Sequence, residues 1–393
     1  MGDQKTPVEM PIEGATYVGA DVCKECHVEK YDDWITSGHP YKLMTPEKAL
    51  EIRPEIPMPE GYTKDDILYV IGGWGWKARF MDKDGYIITK TGEDHSVDGS
   101  NQYNVTNGEW VDYNAGKEVK YNCQKCHNTG AAYDTENALP GIEVTWELDG
   151  VQCEACHGPG SEHVALGGNK SMITVDTSAS LCGQCHRRGA DDDKIPASEG
   201  FAKHHEQYLD FLAAGKMSVL ECVDCHDPHK PVHAGATNSV EGAGIIKDCE
   251  DCHADAASSY AGSVMDIAGV KCVECHMPKT SKSAVAVSEY EADIRSHLFK
   301  INTDEDAEFT YIDAENGNEY ANPYITVEYA CLYCHEDKDK AWAAQNAPGS
   351  MTLQSEVVEE PAEESTMPEE KTPGFGLLST LGMLAIGYAV RRR

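Results

Sequence analysis

The residues with the clearest chemistry are cysteines and histidines that recur in one pattern. All sixteen cysteines of the 393-residue chain fall into eight copies of C-x-x-C-H. In each copy the two thiols can reach the two vinyl groups of one porphyrin, and the histidine that follows lies under the iron. A lone C-x-x-C also suits a redox pair or half of a zinc site, but eight copies ending in histidine predict eight covalently attached haem c groups. The motifs are Cys23/Cys26/His27, Cys123/Cys126/His127, Cys153/Cys156/His157, Cys182/Cys185/His186, Cys222/Cys225/His226, Cys249/Cys252/His253, Cys272/Cys275/His276 and Cys331/Cys334/His335.

Eight of the sixteen histidines lie outside the motifs, which is one for each expected iron. Because every iron needs a second axial ligand, this match predicts ligation by two histidines throughout and no open coordination position. His204 and His205 are adjacent, so their side chains point in different directions and one of them can be left without iron. His95 is set apart by its polar loop, TGEDHSVDG. The candidate distal ligands are His39, His95, His163, His204, His205, His229, His233 and His297.

The stretch CVDCHDPHKPVH, residues 222–233, holds three of the sixteen histidines. His226 is the expected proximal ligand of its own haem. His229 follows three residues later, after Pro228, and cannot readily reach the opposite face of the same porphyrin. We therefore expect His229, and also His233, to bind the irons of neighbouring haems, so that one short segment joins two or three cofactors.

The charge of the chain excludes nucleic acid as a partner. With 33 basic and 67 acidic residues, the formal net charge is −34. Such a surface repels nucleic acid and favours cationic partners or metal ions, and it equally serves solubility, including solubility in salt. Haem c is attached outside the cytoplasm, so the cysteines predict secretion, although the first residues show no basic segment followed by an apolar run.

The sequence divides into three expected segments: an octahaem domain at 1–345, an acidic disordered linker at 346–372 and a membrane anchor or sorting tail at 373–393. In the first, WGWKARFMDKDGYIIT predicts a β-hairpin over 76–89. Short helices are expected in EKYDDWITSG and in HHEQYLDFLAAGKM. The expected fold is therefore mainly α with extensive loop and one small β-hairpin, and its core is built on stacked haems.

The last segment has the pattern of a membrane anchor. Residues 355–372 are rich in glutamate and proline, which is typical of an extended linker. An uncharged run, Phe375 to Val390, then precedes three arginines, so the haem domain is expected outside the membrane. The tail also resembles archaeal C-terminal sorting signals with Pro-Gly-Phe, here Pro373 to Phe375. That resemblance implies an archaeal host, cleavage of the tail and a lipid anchor on the outer face.

Several segments together resemble one family: YVGADVCKECHVEKYDDWITSGHPYKL, CQKCHNTG, GVQCEACHGPGSEHV and IRSHLFKI. This family comprises the multihaem cytochromes c related to the tetrahaem nitrification cytochrome, pentahaem nitrite reductase and hydroxylamine oxidoreductase. The resemblance implies a mostly helical, loop-rich fold with haems stacked in parallel and perpendicular pairs. It also implies that His39, His163 and His297 are distal ligands of haems distant in sequence. The C-x-x-C-K motif of the nitrite reductases is absent from the sequence, and no cross-linking tyrosine of the hydroxylamine oxidoreductase type can be identified among 19 tyrosines.

The favoured function is electron transfer, without enzymatic turnover, through low-potential haems ligated by two histidines. The expected donor is a redox protein or a membrane electron carrier, and the expected acceptor lies outside the cell. Two alternatives stay open. One is an oxidoreductase acting on a small nitrogen or sulfur compound at one five-coordinate haem. The other is a subunit of a polymeric cytochrome filament, a homopolymer in which some distal histidines come from the neighbouring subunit.

Overall fold

The computed structural model describes residues 12–131, 138–189, 193–237 and 239–347. Within these ranges the chain forms twelve short α-helices and sixteen strands. The helices are α1 Ala20–Lys24, α2 Val28–Trp34, α3 Pro46–Ile52, α4 Gln124–His127, α5 Cys153–His157, α6 Ser161–Ala165, α7 Ala179–Gly183, α8 Gln207–Ala213, α9 Ala254–Tyr260, α10 Val264–Ile267, α11 Cys272–His276 and α12 Lys340–Asn346. The strands are β1 Leu43–Met44, β2 Ile67–Gly72, β3 Lys77–Asp82, β4 Lys90–Thr91, β5 Val97–Asp98, β6 Gln102–Asn104, β7 Glu109–Val111, β8 Asn128–Thr129, β9 Leu148–Asp149, β10 Ile195–Ser198, β11 Phe201–Lys203, β12 Ser281–Lys282, β13 Ile301–Asn302, β14 Thr310–Ile312, β15 Glu319–Ala321 and β16 Ile325–Thr326.

The longest strands, β2 and β3, lie in an antiparallel sheet with the order β1-β2-β3-β6-β7. Strand β2 is rich in β-branched residues, whereas β3 has one aromatic residue, Phe80. Val70, Ala78 and Phe80 are fully buried. The expected hairpin is present: the Asp82 N–H donates to the Tyr86 carbonyl at 2.9 Å, at the end of β3. Gly85 lies in this turn with φ 88°, a conformation that favours glycine. This sheet packs over a core that includes Tyr41, Ile56 and Trp74.

A second five-stranded sheet, with the order β12-β11-β10-β15-β14, joins segments that are distant in the chain. Its β11 and β12 are parallel, and the other neighbouring pairs are antiparallel. The core against it contains Phe201 from β11, Leu209 from α8, and Leu298, Phe309 and Tyr329. Two-stranded pairs, β13-β16, β4-β5 and β8-β9, complete the strands of the described residues.

The mainly-α expectation is not confirmed, because two five-stranded sheets accompany the helices. Most strands outside β2 and β3 span only two to four residues. Such short strands contain too few residues to show the alternating pattern that identifies a strand, and tertiary contacts decide their pairing. The expected helices are present in shorter form, as α2 and α8.

The interval 212–291, which includes β12 of the second sheet, is poorly packed. In the described part of the chain, no hydrophobic residue between Phe211 and Ala292 is buried. This interval carries the fifth, sixth and seventh motifs. Among the described residues no helix is both long and apolar enough to cross a membrane. Residues 348–393, with most of the expected linker and the whole expected tail, lie outside them.

Candidate haem motifs and a buried cationic cluster

Each motif contains a helical turn, and that turn brings its three functional side chains together. Helices α5 and α11 coincide with the third and seventh motifs. In the first motif the His27 N–H donates to the Cys23 carbonyl at 2.9 Å. Residues three and four apart share one face of a helix, so both thiols and the imidazole of one motif point to the same side. None of the sixteen cysteines forms a disulfide.

The two cysteines of the first motif differ in their surroundings. Cys23 is half-buried and its thiol lies close to that of Cys153, whereas Cys26 is exposed. Cys26 lies beyond the end of α1. A vinyl group lies at the edge of a porphyrin, so an exposed thiol can still reach it. Attachment of haem through Cys26 stays a prediction.

Thiols of different motifs approach one another, and these contacts give the order of the motifs in space. Three pairs of thiols lie close enough to interact strongly: Cys23 with Cys153, Cys126 with Cys185, and Cys182 with Cys222. Four further pairs are close enough to interact electrostatically: Cys156 with Cys182, Cys225 with Cys252, Cys249 with Cys272, and Cys275 with Cys334. The first motif is therefore followed in space by the third, and then by the fourth to the eighth in turn. The second motif joins this series at the fourth.

Four histidines from outside the motifs face a motif histidine at nearly the same distance. The ring centroids lie 6.3 Å apart in His27/His163, His39/His186 and His157/His229, and 6.2 Å apart in His226/His297. An iron bound about 2 Å from each of two imidazole nitrogens holds the ring centres about 6 Å apart. The four pairs therefore fit one iron each. The residues present also fit haem c at these motifs, with two thiols and one imidazole on the same side of each turn.

Hydrogen bonds at Nδ1 orient several of these rings. The His157 ring bonds to the Thr174 carbonyl at 2.7 Å, and the His163 ring bonds to the Asn169 carbonyl at 2.9 Å. His229 Nδ1 lies 3.0 Å from an oxygen of the Asp227 carboxylate. When Nδ1 carries the proton and donates it in this way, Nε2 is left with its lone pair available for a metal.

Burial keeps two of the paired rings neutral. Desolvation lowers the pKa of His39 to about 3, with a smaller contribution from the Lys42 charge. It likewise lowers the pKa of His297 to about 3. Both rings are uncharged at pH 7, and the neutral imidazole is the form that binds a metal.

Of the other four spare histidines, His204 lies beside His205, with ring centroids 4.8 Å apart, and each of the remaining three also lies against another ring. His95 stacks on Tyr62 with centroids 4.1 Å apart, and its Nε2 lies 3.1 Å from the Gly61 carbonyl oxygen. His233 stacks on Trp76 at 4.9 Å. His205 lies beside His186 with centroids 5.9 Å apart, and its backbone φ is 67°.

Not every motif histidine has a partner ring of this kind. Within the described ranges, no ring contact joins a histidine from outside the motifs to His127, His253, His276 or His335. Of these four, His127 and His276 bond to a backbone carbonyl oxygen through Nδ1, at Lys42 and Phe299 respectively. The His335 ring lies against Trp342, with centroids 4.8 Å apart.

Cationic side chains gather beside the second motif. Lys77 and Arg79 alternate on β3, so they leave the same face of the first sheet. Arg188 follows the fourth motif, and its Nη1 lies 2.9 Å from His204 Nε2. The charges of Lys77, Arg79 and Arg188 all act on His204, and those of Arg79 and Arg188 also act on His127. We call Lys77, Arg79, Arg188 and His204 the cationic cluster.

Neighbouring groups hold the cationic cluster in place. The Arg79 Nε donates to the Gln102 side-chain oxygen at 2.8 Å, and its guanidinium lies 3.4 Å from the Tyr113 ring centroid. Lys77 Nζ donates to the Ser283 carbonyl. The Asp293 carboxylate, whose charge reaches Lys77, accepts backbone N–H groups of residues 283–285.

Burial shifts the protonation of two members of the cationic cluster. Desolvation, followed by the Arg79 charge, lowers the pKa of Lys77 to about 7. Desolvation and the neighbouring cations lower the pKa of His204 to about 2, so its ring is neutral and Nε2 can accept from Arg188. The Asp293 carboxylate acts on Lys77, but three cationic side chains leave an excess of positive charge, and such a partly buried group is suited to holding an anion. Sequence reasoning missed this cluster, although Lys77 and Arg79 at alternating positions of the otherwise apolar WGWKARF were a readable signal.

Comparisons with known proteins agree with the motifs. Residues 92–158 match the family described as cytochrome c554 and c-prime. The chain is 22% identical to the dissimilatory sulfite reductase MccA of Wolinella succinogenes, over 83% of this chain and 62% of that protein. The solved octahaem sulfite reductase MccA from the same organism has a TM-score of 0.60 at 19% identity, over 82% of this chain and 66% of that one. This chain thus spans less than two thirds of the length of MccA.

Two other multihaem proteins are also similar to the chain, one over about a third of it and the other over most of it. The multihaem cytochrome MtrA of Shewanella baltica is 28% identical over 34% of this chain and 37% of its own length. The outer cell wall cytochrome OcwA has a TM-score of 0.53 at 20% identity, over 84% of this chain and 86% of that one. The motifs and the fold define a c-type cytochrome with several haems. The chain is thus similar to multihaem cytochromes c over most of its length.

Proposed function

We propose that this protein is an extracytoplasmic electron-transfer cytochrome that binds eight haem c groups, one at each motif. Haem iron, when bound, supplies reversible one-electron oxidation and reduction. The observation that carries the proposal is the set of four histidine pairs whose ring centroids are 6.2 to 6.3 Å apart. Ligation by two histidines leaves no position for substrate and, without a sulfur ligand, keeps the potential low.

From these pairs we assign the distal ligands of four haems. His163 serves the haem of the first motif, His229 that of the third, His39 that of the fourth and His297 that of the fifth. These four motifs are consecutive in the spatial series of thiol contacts. A continuous run of saturated sites supports conduction from the first motif to the fifth.

The experiment is a combined mass and redox measurement on the mature protein. Intact mass should show eight haems, and a reductive titration should consume eight electrons over a broad, low range of potential, because neighbouring charged sites repel one another's reduction. Fewer than eight haems in fully matured protein would contradict the proposal of one haem at each motif. If all the haems were reduced at one potential, over a narrow range, the haems would not lie close enough to repel one another's reduction.

The location of the protein is part of the proposal. We place the haem domain on the outer face of the cell membrane, held by residues 373–393, where it accepts electrons from a membrane carrier or redox protein and passes them to an extracellular acceptor. The acidic stretch and the apolar run with terminal arginines support this location. Deletion of 373–393 should release the haem domain into the medium. If the shortened protein stays in the membrane fraction, the anchor is elsewhere.

A second candidate function is favoured by the cationic cluster. His127 faces no histidine ring in the described residues, and Arg79 and Arg188 act on it electrostatically. This arrangement suits a small nitrogen or sulfur oxyanion bound near the second motif, and the relative MccA is named a sulfite reductase. Addition of sulfite or nitrite to the oxidised protein should change the spectrum of one high-spin haem. A protein that shows only low-spin haem, unaltered by either anion, would exclude this function.

A further inference from the structure

A buried carboxylate links the third motif to both expected ligands of the first haem. Glu154 follows Cys153 in the third motif and is only 3% exposed. A carboxylate in such surroundings is tolerated when several donors satisfy its oxygens. The groups that donate hydrogen bonds to the Glu154 carboxylate therefore identify the segments that this side chain holds in place.

Every hydrogen bond recorded for this carboxylate comes from the backbone. Val18 N–H donates to Oε1 at 2.9 Å and to Oε2 at 3.1 Å, and Gly19 N–H donates to Oε2 at 2.8 Å. Gly160 N–H donates to Oε1 at 2.7 Å. Hydrogen bonds to an ionised acceptor are about twice as strong as those between neutral groups. Two separate parts of the backbone are thus held by one side chain.

The donors stand directly before the elements that carry His27 and His163. Gly19 precedes α1, which leads into the first motif, and Gly160 precedes α6, which contains His163. Gly19 has φ 85°, a conformation that lets consecutive N–H groups converge on one anion and that favours glycine. A Cβ on Gly160 would lie 3.3 Å from Glu154 Oε1, so the approach here is close.

Other contacts reinforce the same junction. The Ala20 N–H donates to the Gln152 side-chain oxygen at 2.9 Å, and Thr16 and Ser161 exchange two hydrogen bonds. The Cys23 and Cys153 thiols also lie close together. The distance between His27 and His163 is therefore set at the third motif and not within the first.

We propose that Glu154 is a positioning residue for the first haem: it holds His27 and His163 in register for one iron and fixes the first and third motifs side by side. This inference rests on the ligand pairs of the proposed function and deepens it. The carboxylate itself touches neither histidine ring, so its effect is transmitted through the backbone of 18–20 and 160–163.

The test is Glu154→Gln, which keeps the shape but replaces one accepting oxygen with an N–H₂ group that faces backbone donors. Mass should still show every haem attached, because attachment depends on the thiols. Electron paramagnetic resonance should show one haem shifted to an altered or high-spin form. The matched control is Glu250→Gln, since Glu250 has the same place in the sixth motif and is exposed. It should leave the spectrum unchanged.

Two reference variants identify the affected haem. His163→Ala removes the distal partner of the first haem, and His229→Ala removes that of the third. The new signal in E154Q should match that of H163A. A match to H229A, or a spectrum identical to wild type, would overturn the role of Glu154. If H163A itself gives no new signal, the ligand pairing of the proposed function has failed, which is a different outcome.

Should E154Q yield no mature protein, Glu154→Asp supplies the same test with milder disruption. Aspartate keeps the negative charge, but its side chain is one methylene shorter, so the carboxylate lies farther from the backbone donors. We expect full haem content and a partial shift of the first-haem signal. Full haem content with an unshifted signal would again overturn the proposal.

Discussion

The first and second motifs have the same five-residue pattern, but different groups surround their histidines, His27 and His127. His27 faces the His163 ring at 6.3 Å, and the junction beside it is organised by a buried carboxylate. His127 faces no histidine ring among the described residues and lies near Arg79 and Arg188. The pattern predicts where haem is attached, whereas the residue opposite each motif histidine depends on which remote segment the tertiary structure brings there. In the functions proposed above, the first motif would therefore carry electrons alone and the second would hold an anion near its haem.

The largest expected effect follows from removing the second histidine ligand at the first motif. His163→Ala removes one axial ligand, so one haem should change from low-spin to high-spin while every haem stays attached. Electron paramagnetic resonance of the oxidised protein measures the change. The control is His95→Ala, because His95 stacks on Tyr62 away from the paired rings, and its spectrum should match wild type. An unchanged H163A spectrum would mean that another group binds the first iron.

The next prediction concerns a histidine close to one motif but opposite another. His229→Ala should alter the haem of the third motif and leave the haem at Cys222 and Cys225 unchanged, because the His229 ring faces His157. In a variant that lacks Cys153 and Cys156, the same substitution should produce no new signal. A signal that persists in that background would assign His229 to a different haem.

A smaller effect is expected on the cationic side. Arg188→Gln removes a charge that acts on both His127 and His204, so the affinity for nitrite or sulfite should fall about 10- to 100-fold, as expected for a lost charge-assisted hydrogen bond. A spectroscopic titration of the oxidised protein measures the dissociation constant. Arg53→Gln is the control, since Arg53 pairs with Glu55 outside the cationic cluster. Equal affinities in R188Q and wild type would exclude this cluster as the anion site.

The smallest expected effect is a dependence on pH. Burial lowers the pKa of Lys77 to about 7, and Arg79, Arg188 and Lys282 act in the same direction while Asp293 opposes them. Lys77 is charged below that pH and neutral above it, so nitrite affinity should weaken as the pH rises through about 7. Lys77→Met should bind more weakly at low pH and lose this dependence. If the wild-type affinity does not change between pH 6 and 8, the charge on Lys77 does not contribute.

Local pattern predicts the attachment sites, because C-x-x-C-H is read within five residues, and haem attachment at them stays a prediction. It also predicted the hairpin at 76–89, where an Asp-Gly turn separates apolar runs, and parts of α2 and α8. It could not predict which distant ring faces which motif, nor that His95 would lie on Tyr62. Those arrangements depend on contacts between remote segments. Contacts between remote segments also determine the pairing of the two-residue strands. They likewise bring Arg188 close to Lys77 and Arg79 of β3 in the cationic cluster.

The histidine pairs also limit how this molecule can be divided. The intervals between paired histidines, 27–163, 39–186, 157–229 and 226–297, overlap from end to end. A break anywhere from 27 to 297 separates at least one pair onto two polypeptides. Two fragments produced by such a break would have to associate again before every paired site was complete. Eight copies of one short motif thus form a domain whose paired sites are interlocked along the chain.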